Sequence, residues 1–417
     1  MSNSHSTTAA WMAATALAVA FPLVQGLAQT LQGAQAPGGG QAGRGGGGRP
    51  QGDYNVSLRT AEEKALPNPY ARDETFFKIP LDRVLGSSSA IATDKDGKSI
   101  WVAERCGAQS SGDREVCIHS TVPPVMKFDE NGKMVKAFGA GQIVYPHSLT
   151  IDRDGNIWIA DLQSNVDRPA RGGRGRGGPD GAPGPAGATG PPLTPNGNQI
   201  IKFSPEGKIL LHFLVPGVYG TDTAHFSQPA AIAIAPNGDI FVADGHDSAP
   251  SNNRIMKFDK NGKFIKTWGG PGTGPSEFDC PHAMAFDSQG RLFVGDRGNN
   301  RIQIFDQDGN FLAEWKQYGK PSGLYIDRND VIYVADSESN IGQGNAYIRG
   351  VRIGDAKSGK VTAFLPDPQG NPAPWNTLGG TTGAEGVTSN AAGDIFTAQV
   401  NPPGLAKYSI KTNVPKR

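Results

Sequence analysis

Two histidines and two arginines stand at places in a repeated sequence where most other repeats carry different residues. His147 and His282 each follow a proline, in YPH and CPH, while Arg105 and Arg297 each follow an acidic residue after an apolar run. Imidazole is the commonest metal ligand among side chains, and a guanidinium group binds a carboxylate through paired hydrogen bonds. These four residues therefore predict a metal centre with cationic groups beside it.

The elements that must position these residues come from the repeat. Alternating apolar residues lead to a D-x-x-G turn, a hydrophobic run, a loop, a K-F strand, a second turn and a last strand. The pattern is clear in 147–161 with 200–213 and in 232–244 with 255–269. Each unit holds about four short strands and recurs every 40 to 50 residues or so. Because one such sheet cannot bury both of its faces alone, the sequence predicts an all-β fold, a six-bladed β-propeller.

The ends of the repeated region predict how the ring closes. The sixth unit lacks an outermost strand, and 76-FFKIPLDRVLG-86 resembles the fourth strand of the other units. We therefore expect an N-terminal strand to complete the last blade and to close the ring.

Aligning the blades on the D-x-x-G turn shows which residue each one presents at the same point, five residues before the aspartate. In blade order this position holds Ser89, His147, Ala230, His282, Ser322 and Glu385. Alternate blades thus supply His147, His282 and Glu385 to one axis, which predicts a two-histidine, one-carboxylate metal site with open positions. The alternative is that each histidine is a hydrogen-bonded structural residue.

A second aligned position follows the acidic residue that ends the second strand. In blade order it holds Arg105, Leu162, Gly245, Arg297, Ser337 and Val400. Arg105 and Arg297 would overlook the mouth of the channel, although a structural ion pair of Arg297 with Asp296 or Asp287 is the alternative. His246 stands one place further along and is either a general base or an exposed loop residue.

Bulk composition narrows the classes of function. The chain has 40 basic and 39 acidic residues, which does not favour a nucleic-acid-binding protein. Residues 1–28 have the apolar run of a signal peptide, with cleavage after Ala28 or as late as Ala36, and no further membrane span is expected. We therefore expect a secreted or periplasmic protein that acts as a monomer.

Two glycine-rich tracts frame the expected domain boundaries. Residues 29–70 are expected to be a flexible linker, and a disordered insert is expected at about 168–198 within a propeller that spans 71–417. Of the three cysteines, Cys106 and Cys117 are placed to close a short disulfide loop in an oxidising compartment. Cys280 is left over, and a spare thiol is more often a small buried apolar residue than a nucleophile.

The residues at the two aligned positions resemble those of a known family. The chain resembles the peptidyl-α-hydroxyglycine α-amidating lyases in three features. These are the P-H pairs in alternate blades, the D-R-x-x-N-R-I-Q-x-F segment of the fourth unit, and the Q-P and V-x-D-G segments of the third. The resemblance covers about residues 85–410, and the repeat itself is of the NHL type, which many propellers of unrelated function share.

The resemblance implies a zinc-dependent lyase that cleaves an α-hydroxyglycine-type carbinolamide into an amide and glyoxylate. His147 and His282 match two zinc histidines of the family, and Arg105 and Arg297 match two arginines of its site. The substrate would be a small peptide or a carboxylate-bearing small molecule. Zinc is the expected metal, and another divalent metal is compatible with such ligands.

Three positions depart from the family pattern. Glu385 stands where the family has its third zinc histidine, and His246 stands where it has a catalytic tyrosine. Gly386 stands where the family has an aspartate that binds a structural calcium ion, so the resemblance does not extend to the calcium site. These departures keep two alternatives open: another metal-dependent hydrolase acting on lactones or esters, and a non-catalytic propeller that binds a ligand or partner.

Overall fold

The computed structural model describes residues 65–107, 117, 120–165, 195–246, 251–339, 347–367, 383–400 and 402–411. The predicted signal peptide, residues 29–64 of the predicted linker and residues 168–194 of the predicted insert lie outside these ranges. All described residues belong to one compact unit, 51–417. No helix in the described ranges is long and apolar enough to cross a membrane.

The described chain forms twenty-four β-strands in six four-stranded antiparallel sheets, which confirms the predicted six-bladed propeller. The first strand, β1, is Tyr70–Asp73. Blade 1 contains β2 (Ala90–Thr93), β3 (Ile100–Ala103), β4 (Val125–Phe128) and β5 (Met134–Phe138). Blade 2 contains β6 (Pro146–Ile151), β7 (Ile157–Ser164), β8 (Gly197–Phe203) and β9 (Ile209–Phe213). Blade 3 contains β10 (Pro229–Ile234), β11 (Ile240–Asp244), β12 (Arg254–Phe258) and β13 (Phe264–Gly269).

The second half of the ring repeats this arrangement. Blade 4 contains β14 (Pro281–Phe286), β15 (Leu292–Asp296), β16 (Arg301–Phe305) and β17 (Phe311–Trp315). Blade 5 contains β18 (Gly323–Ile326), β19 (Val331–Asp336), β20 (Gly350–Asp355) and β21 (Val361–Pro366). Blade 6 contains β22 (Ala384–Ser389), β23 (Ile395–Gln399) and β24 (Gly404–Ile410), with β1 as its outermost strand.

An N-terminal strand closes the ring, as the sequence predicts, but it is not the segment that most resembles a fourth strand. The strand that pairs with β24 is β1, from Tyr70 opposite Ile410 to Asp73 opposite Lys407. The propeller therefore begins one residue before the predicted boundary at residue 71.

In residues 76–86, expected to form the closing strand, Phe76 and Phe77 instead pack between blades 6 and 1, whereas Leu81 is fully exposed. The ring of Phe77 meets those of Phe128 and Phe396 at centroid distances of 4.9 and 6.0 Å, and Phe76 also contacts Phe396. An edge strand points consecutive side chains to opposite faces. Because Phe76 and Phe77 both pack inward, this segment cannot alternate as an edge strand does.

The core lies between blades and not within any one of them. Six clusters of buried apolar side chains each draw on two neighbouring sheets; one of them joins Trp101 of blade 1 to Ile159 and Phe203 of blade 2. Burying apolar surface contributes roughly 25 cal/mol per Å². Each blade is therefore stabilised by its neighbours, and the inner strands are held around a common axis.

Candidate metal centre

Irregular strand pairing turns four side chains away from their own sheets at the start of the inner strands. Pairing between the first and second strands of blade 2 skips His147, and in blades 3, 4 and 6 it skips Ala230, His282 and Glu385. A β-bulge of this kind leaves one residue unpaired and redirects its side chain. The aligned position from which the sequence predicted metal ligands is thus a bulge repeated in four blades.

The main chain fixes the orientation of two imidazoles. Nδ1 of His147 donates to the carbonyl oxygen of Ala230 at 2.7 Å, and Nδ1 of His282 donates to that of Ser322 at 2.6 Å. A carbonyl oxygen only accepts, so in each ring Nδ1 carries the hydrogen and Nε2 keeps a lone pair. Second-shell hydrogen bonds of this kind orient histidines that bind metals.

His246 joins these two residues from the loop that follows β11. The ligand nitrogens of His147, His246 and His282 all lie within 4.8 Å of one another. The ring centroids are 4.5 to 5.1 Å apart. The preceding residue, Gly245, has a positive φ and leaves no room for a Cβ beside Asn253, so this turn depends on glycine.

The three imidazoles fit a bound divalent metal. The Nε2 atom of His147 is buried and has no hydrogen-bond partner, an arrangement that costs free energy unless something binds there, and Nε2 of His282 lies beside the Glu385 carboxylate, 3.2 Å away. Three nitrogens on one zinc ion with bonds near 2.0–2.1 Å lie roughly 3.3 Å apart, so small rotations would bring these rings into place. Burial, together with nearby charges, lowers the pKa of each imidazole and keeps it neutral, as a ligand must be.

Glu385 lies beside the three histidines and not apart from them. Its Oε1 is 3.2 Å from Nε2 of His282 and 3.4 Å from Nη1 of Arg297. Burial alone would raise the pKa of Glu385, but His282, Arg105 and Arg297 outweigh burial and hold that pKa well below its usual range. The predicted ligands His147 and His282 therefore converge, and Glu385 lies next to them. His246, predicted as a general base, lies as close to the two histidines as a third ligand would.

Arg297 is tied into an acidic network. Its Nη1 is 3.1 Å from Oε1 of Glu338 as well as 3.4 Å from Oε1 of Glu385, and its Nη2 contacts the Cys280 sulfur at 3.5 Å. The ion pairs considered as alternatives for Arg297 are wrong, because Asp296 pairs with Arg301 and Asp287 with Arg291.

Arg105 reaches the same mouth with different partners. Its guanidinium lies 4.3 Å from the centre of the Tyr145 ring, and its Nη2 donates to Ser89 Oγ at 2.9 Å. Ser89 Oγ in turn donates to the carbonyl oxygen of His147. The next residue, Cys106, forms the predicted disulfide with Cys117. Cys280 is buried and unbonded, and burial raises its pKa to about 11, as expected of a structural thiol.

Sequence reasoning missed Glu338 and Tyr145, which hold the two arginines. Glu338 follows Ser337, a residue at the second aligned position, so its place at the mouth was readable from the repeat. Nothing in the sequence singles out Tyr145 as the residue that stacks on Arg105.

The calcium-binding aspartate of the resembled family has no counterpart here for a steric reason. A Cβ on Gly386 would lie 2.3 Å from the carbonyl oxygen of Ser89 in the neighbouring blade. The inner strands of blades 6 and 1 approach too closely for any side chain at this position.

A cavity of about 350 Å³ runs along the inner strands of the propeller, and His147 and His282 line one end of it.

Comparisons with known proteins agree with this architecture. Residues 278–305 match the NHL repeat family. The chain is 32% identical over 181 residues to peptidyl-glycine alpha-amidating monooxygenase B of Xenopus laevis, covering 42% of this chain and 16% of that protein. It is 28% identical over 173 residues to peptidyl-alpha-hydroxyglycine alpha-amidating lyase 2 of Drosophila melanogaster, covering 40% of this chain and 32% of that protein.

Among solved structures, a gluconolactonase from Xanthomonas campestris shares the fold with a TM-score of 0.50 and 15% identity, over 79% of this chain and 88% of that one. The chain spans less than a third of the length of the two relatives matched by sequence. The chain is therefore a six-bladed propeller with an NHL repeat, and its sequence resembles the peptidyl-α-hydroxyglycine α-amidating lyases.

Proposed function

We propose that this protein is an exported, metal-dependent lyase that cleaves an α-hydroxyglycine-type carbinolamide into an amide and glyoxylate. The observation that carries the proposal is the convergence of three imidazoles, of which those of His147 and His282 are buried and that of His246 is partly buried, near two arginines. The observed disulfide and the similarity to proteins named as amidating enzymes support both the export and the reaction.

The reaction balances without an added oxidant. The hydroxyl proton leaves, the carbon–nitrogen bond breaks to form the aldehyde of glyoxylate, and the amide nitrogen gains a proton. A divalent metal held by His147, His246 and His282 would supply Lewis acidity that lowers the pKa of the substrate hydroxyl. The chain itself must bind the substrate carboxylate and move one proton.

Side chains at the mouth are placed for both tasks. The arginines offer positive charge for the carboxylate, in a buried setting where such contacts are strong. Because a ring nitrogen of His246 lies within 4.8 Å of those of the other imidazoles, we assign His246 to the metal, and we assign proton transfer to Glu385, which is a weak base because its neighbours hold its pKa well below the usual range. The Glu385 carboxylate lies at the edge of the histidine cluster, 3.2 Å from His282.

The test is to incubate the zinc-loaded full chain with a peptide ending in α-hydroxyglycine and to quantify the amide by mass spectrometry and glyoxylate by a coupled assay. We expect equal amounts of both products. A matched peptide ending in glycine should not react, and H147A/H282A should be inactive.

Hydrolysis of a lactone panel with no glyoxylate release would favour the hydrolase alternative. If no substrate turned over and H147A/H282A kept the same metal content and ligand binding as the parent, the chain would be a binding module.

A further inference from the structure

The mouth of the propeller divides into two chemically different halves. The three imidazoles come from consecutive blades, with His147 on blade 2, His246 on blade 3 and His282 on blade 4. The other half carries Arg105 in blade 1 and Glu338 in blade 5, each in the loop after the second strand, and Glu385 on blade 6, while Arg297 lies in blade 4 with His282. Three of the four charged side chains therefore lie across the mouth from the histidines.

The two arginines at the mouth differ in the carboxylates that they contact directly. Arg297 contacts the carboxylates of both Glu338 and Glu385, and Lys320 contacts Glu338 from the other side at 3.3 Å. A guanidinium with two carboxylates at 3.1 and 3.4 Å has its charge compensated and its donors largely occupied. Binding a further anion would require Arg297 to give up one of these contacts.

Arg105 is in the opposite situation. It is 2% exposed, and it forms no ion pair with any carboxylate in the described part of the chain. Its partners are a hydroxyl and an aromatic face, and its Nε has no hydrogen-bond partner. Burying a cation that has no direct carboxylate contact is costly, and a bound anion relieves that cost; Glu385 feels the charge of Arg105 only from beyond contact distance.

We propose that Arg105 alone receives the carboxylate of the substrate, and that Arg297 is a positioning residue that holds Glu385 beside the histidine cluster. This division deepens the proposed function and rests on the same site. It predicts a preference for ligands with one carboxylate next to the group that reaches the histidines, because of the two arginines only Arg105 has no direct contact with a carboxylate in the described part of the chain.

The experiment measures binding, not turnover. Glycolate and its neutral analogue glycolamide are titrated calorimetrically into the zinc-loaded full chain and into R105Q, R105K, R297Q, E385Q and R297Q/E385Q. We expect R105Q to weaken glycolate binding by roughly 10- to 100-fold, the value of a lost charge-assisted contact, and to leave glycolamide binding unchanged. R105K should give an intermediate loss, since charge remains without the forked geometry.

The double variant isolates the role of Arg297. If Arg297 acts through Glu385, R297Q/E385Q binds glycolate as E385Q does, and the cobalt-substituted R297Q protein has an absorption spectrum different from that of the parent because Glu385 is released. A tenfold or larger loss of glycolate affinity on adding R297Q to E385Q would overturn the proposal, as would an R105Q protein that binds glycolate normally.

Failure of the lyase reaction would be visible separately. An absence of glyoxylate release together with the expected binding pattern would reject the proposed reaction and keep the assignment of the arginines. Thermal melts of every variant identify any that fail to fold. If R105Q fails to fold, R105K takes its place in the comparison.

Discussion

Oε1 of Glu385 lies 3.2 Å from Nε2 of His282, so the inner strand of blade 6 touches that of blade 4 across the mouth of the propeller. This contact unites two residues that are 103 positions apart in the sequence, since 385 − 282 = 103. It also places the Glu385 carboxylate next to the histidine cluster, where His246 is the other candidate for a third metal ligand.

Replacing each of the three histidines tests the metal centre directly. We expect H147A, H246A and H282A each to lose stoichiometric zinc, because each removes a ligand from a site with few others. Metal content after dialysis, measured by mass spectrometry, is the readout. H225Q is the matched control, since His225 lies in the connection that leads into the blade of His246 but bonds to Asp222. Full zinc retention by H246A would contradict the assignment of His246 to the metal.

The disulfide beside Arg105 should contribute to stability. Closing the loop between Cys106 and Cys117, 11 residues apart, stabilises the fold by about 3 kcal/mol in the chain-entropy model. We expect a reducing agent to lower the melting temperature of the parent protein and to leave that of C106A/C117A unchanged. Equal sensitivity of the two proteins to the reductant would show that the bond adds nothing.

Ring closure by β1 should stabilise the whole propeller. Removing residues 1–74 deletes a strand that pairs four residues with β24. At roughly 1 kcal/mol for each hydrogen bond lost, we expect the free energy of unfolding to fall by about 2–4 kcal/mol. Urea titration followed by tryptophan fluorescence measures this, with a protein lacking only residues 1–64 as the control. Identical midpoints for the two truncations would refute the role of β1.

Close approach of the inner strands makes Gly386 sensitive to substitution. A methyl group there meets the main chain of Ser89 at 2.3 Å, and a backbone atom cannot move aside as a flexible side chain can. We expect G386A to lower the free energy of unfolding by about 1–3 kcal/mol, the usual cost of overpacking. In the control G274A, the added Cβ would lie nearest to the flexible side chain of Glu277. A G386A protein as stable as the parent would argue against the close contact.

One blade departs from the ion pairing found in its neighbours. The aspartate that ends the second strand pairs with an arginine in blades 3, 4 and 5, as Asp244–Arg254, Asp296–Arg301 and Asp336–Arg352. In blade 2 the residue across from Asp161 is Gln199, a neutral amide. Burial therefore raises the pKa of Asp161 to about 7, although hydrogen bonds from the main chain oppose the shift.

This raised pKa predicts a pH dependence of stability with a definite sign. The unfolded aspartate titrates near 3.9, so the folded state binds the proton more tightly. The stabilisation from Asp161 is complete below about pH 4 and is lost as the pH rises through about 7. Relative to D161N, the free energy of unfolding of the parent should fall by an amount on the order of 3 kcal/mol between pH 5 and pH 8. Parallel pH profiles for the two proteins would contradict the shift.

The sequence predicted the propeller because D-x-x-G turns and alternating strands recur in register. It also predicted that His147, His282, Glu385 and the two arginines meet at one end of the ring, since equivalent blades present equivalent positions; their roles stay a prediction. What it did not resolve depends on contacts between distant segments. The bulges at His147, His282 and Glu385, the approach of His246 and the pairing of Arg297 with Glu338 all depend on residues that only the folded chain brings together. The closing strand was misassigned because Phe76 and Phe77 have the composition of a strand but pack between two sheets.

The pairing of the first strand with the last has a consequence for engineering. Because Tyr70 lies opposite Ile410, the two ends of the propeller are neighbours. A short peptide joining them would permit circular permutants whose new termini open in a loop between blades. Such rearranged chains would keep all six sheets and the same hub, and would allow the order in which the blades are synthesised to be varied independently of the structure they form.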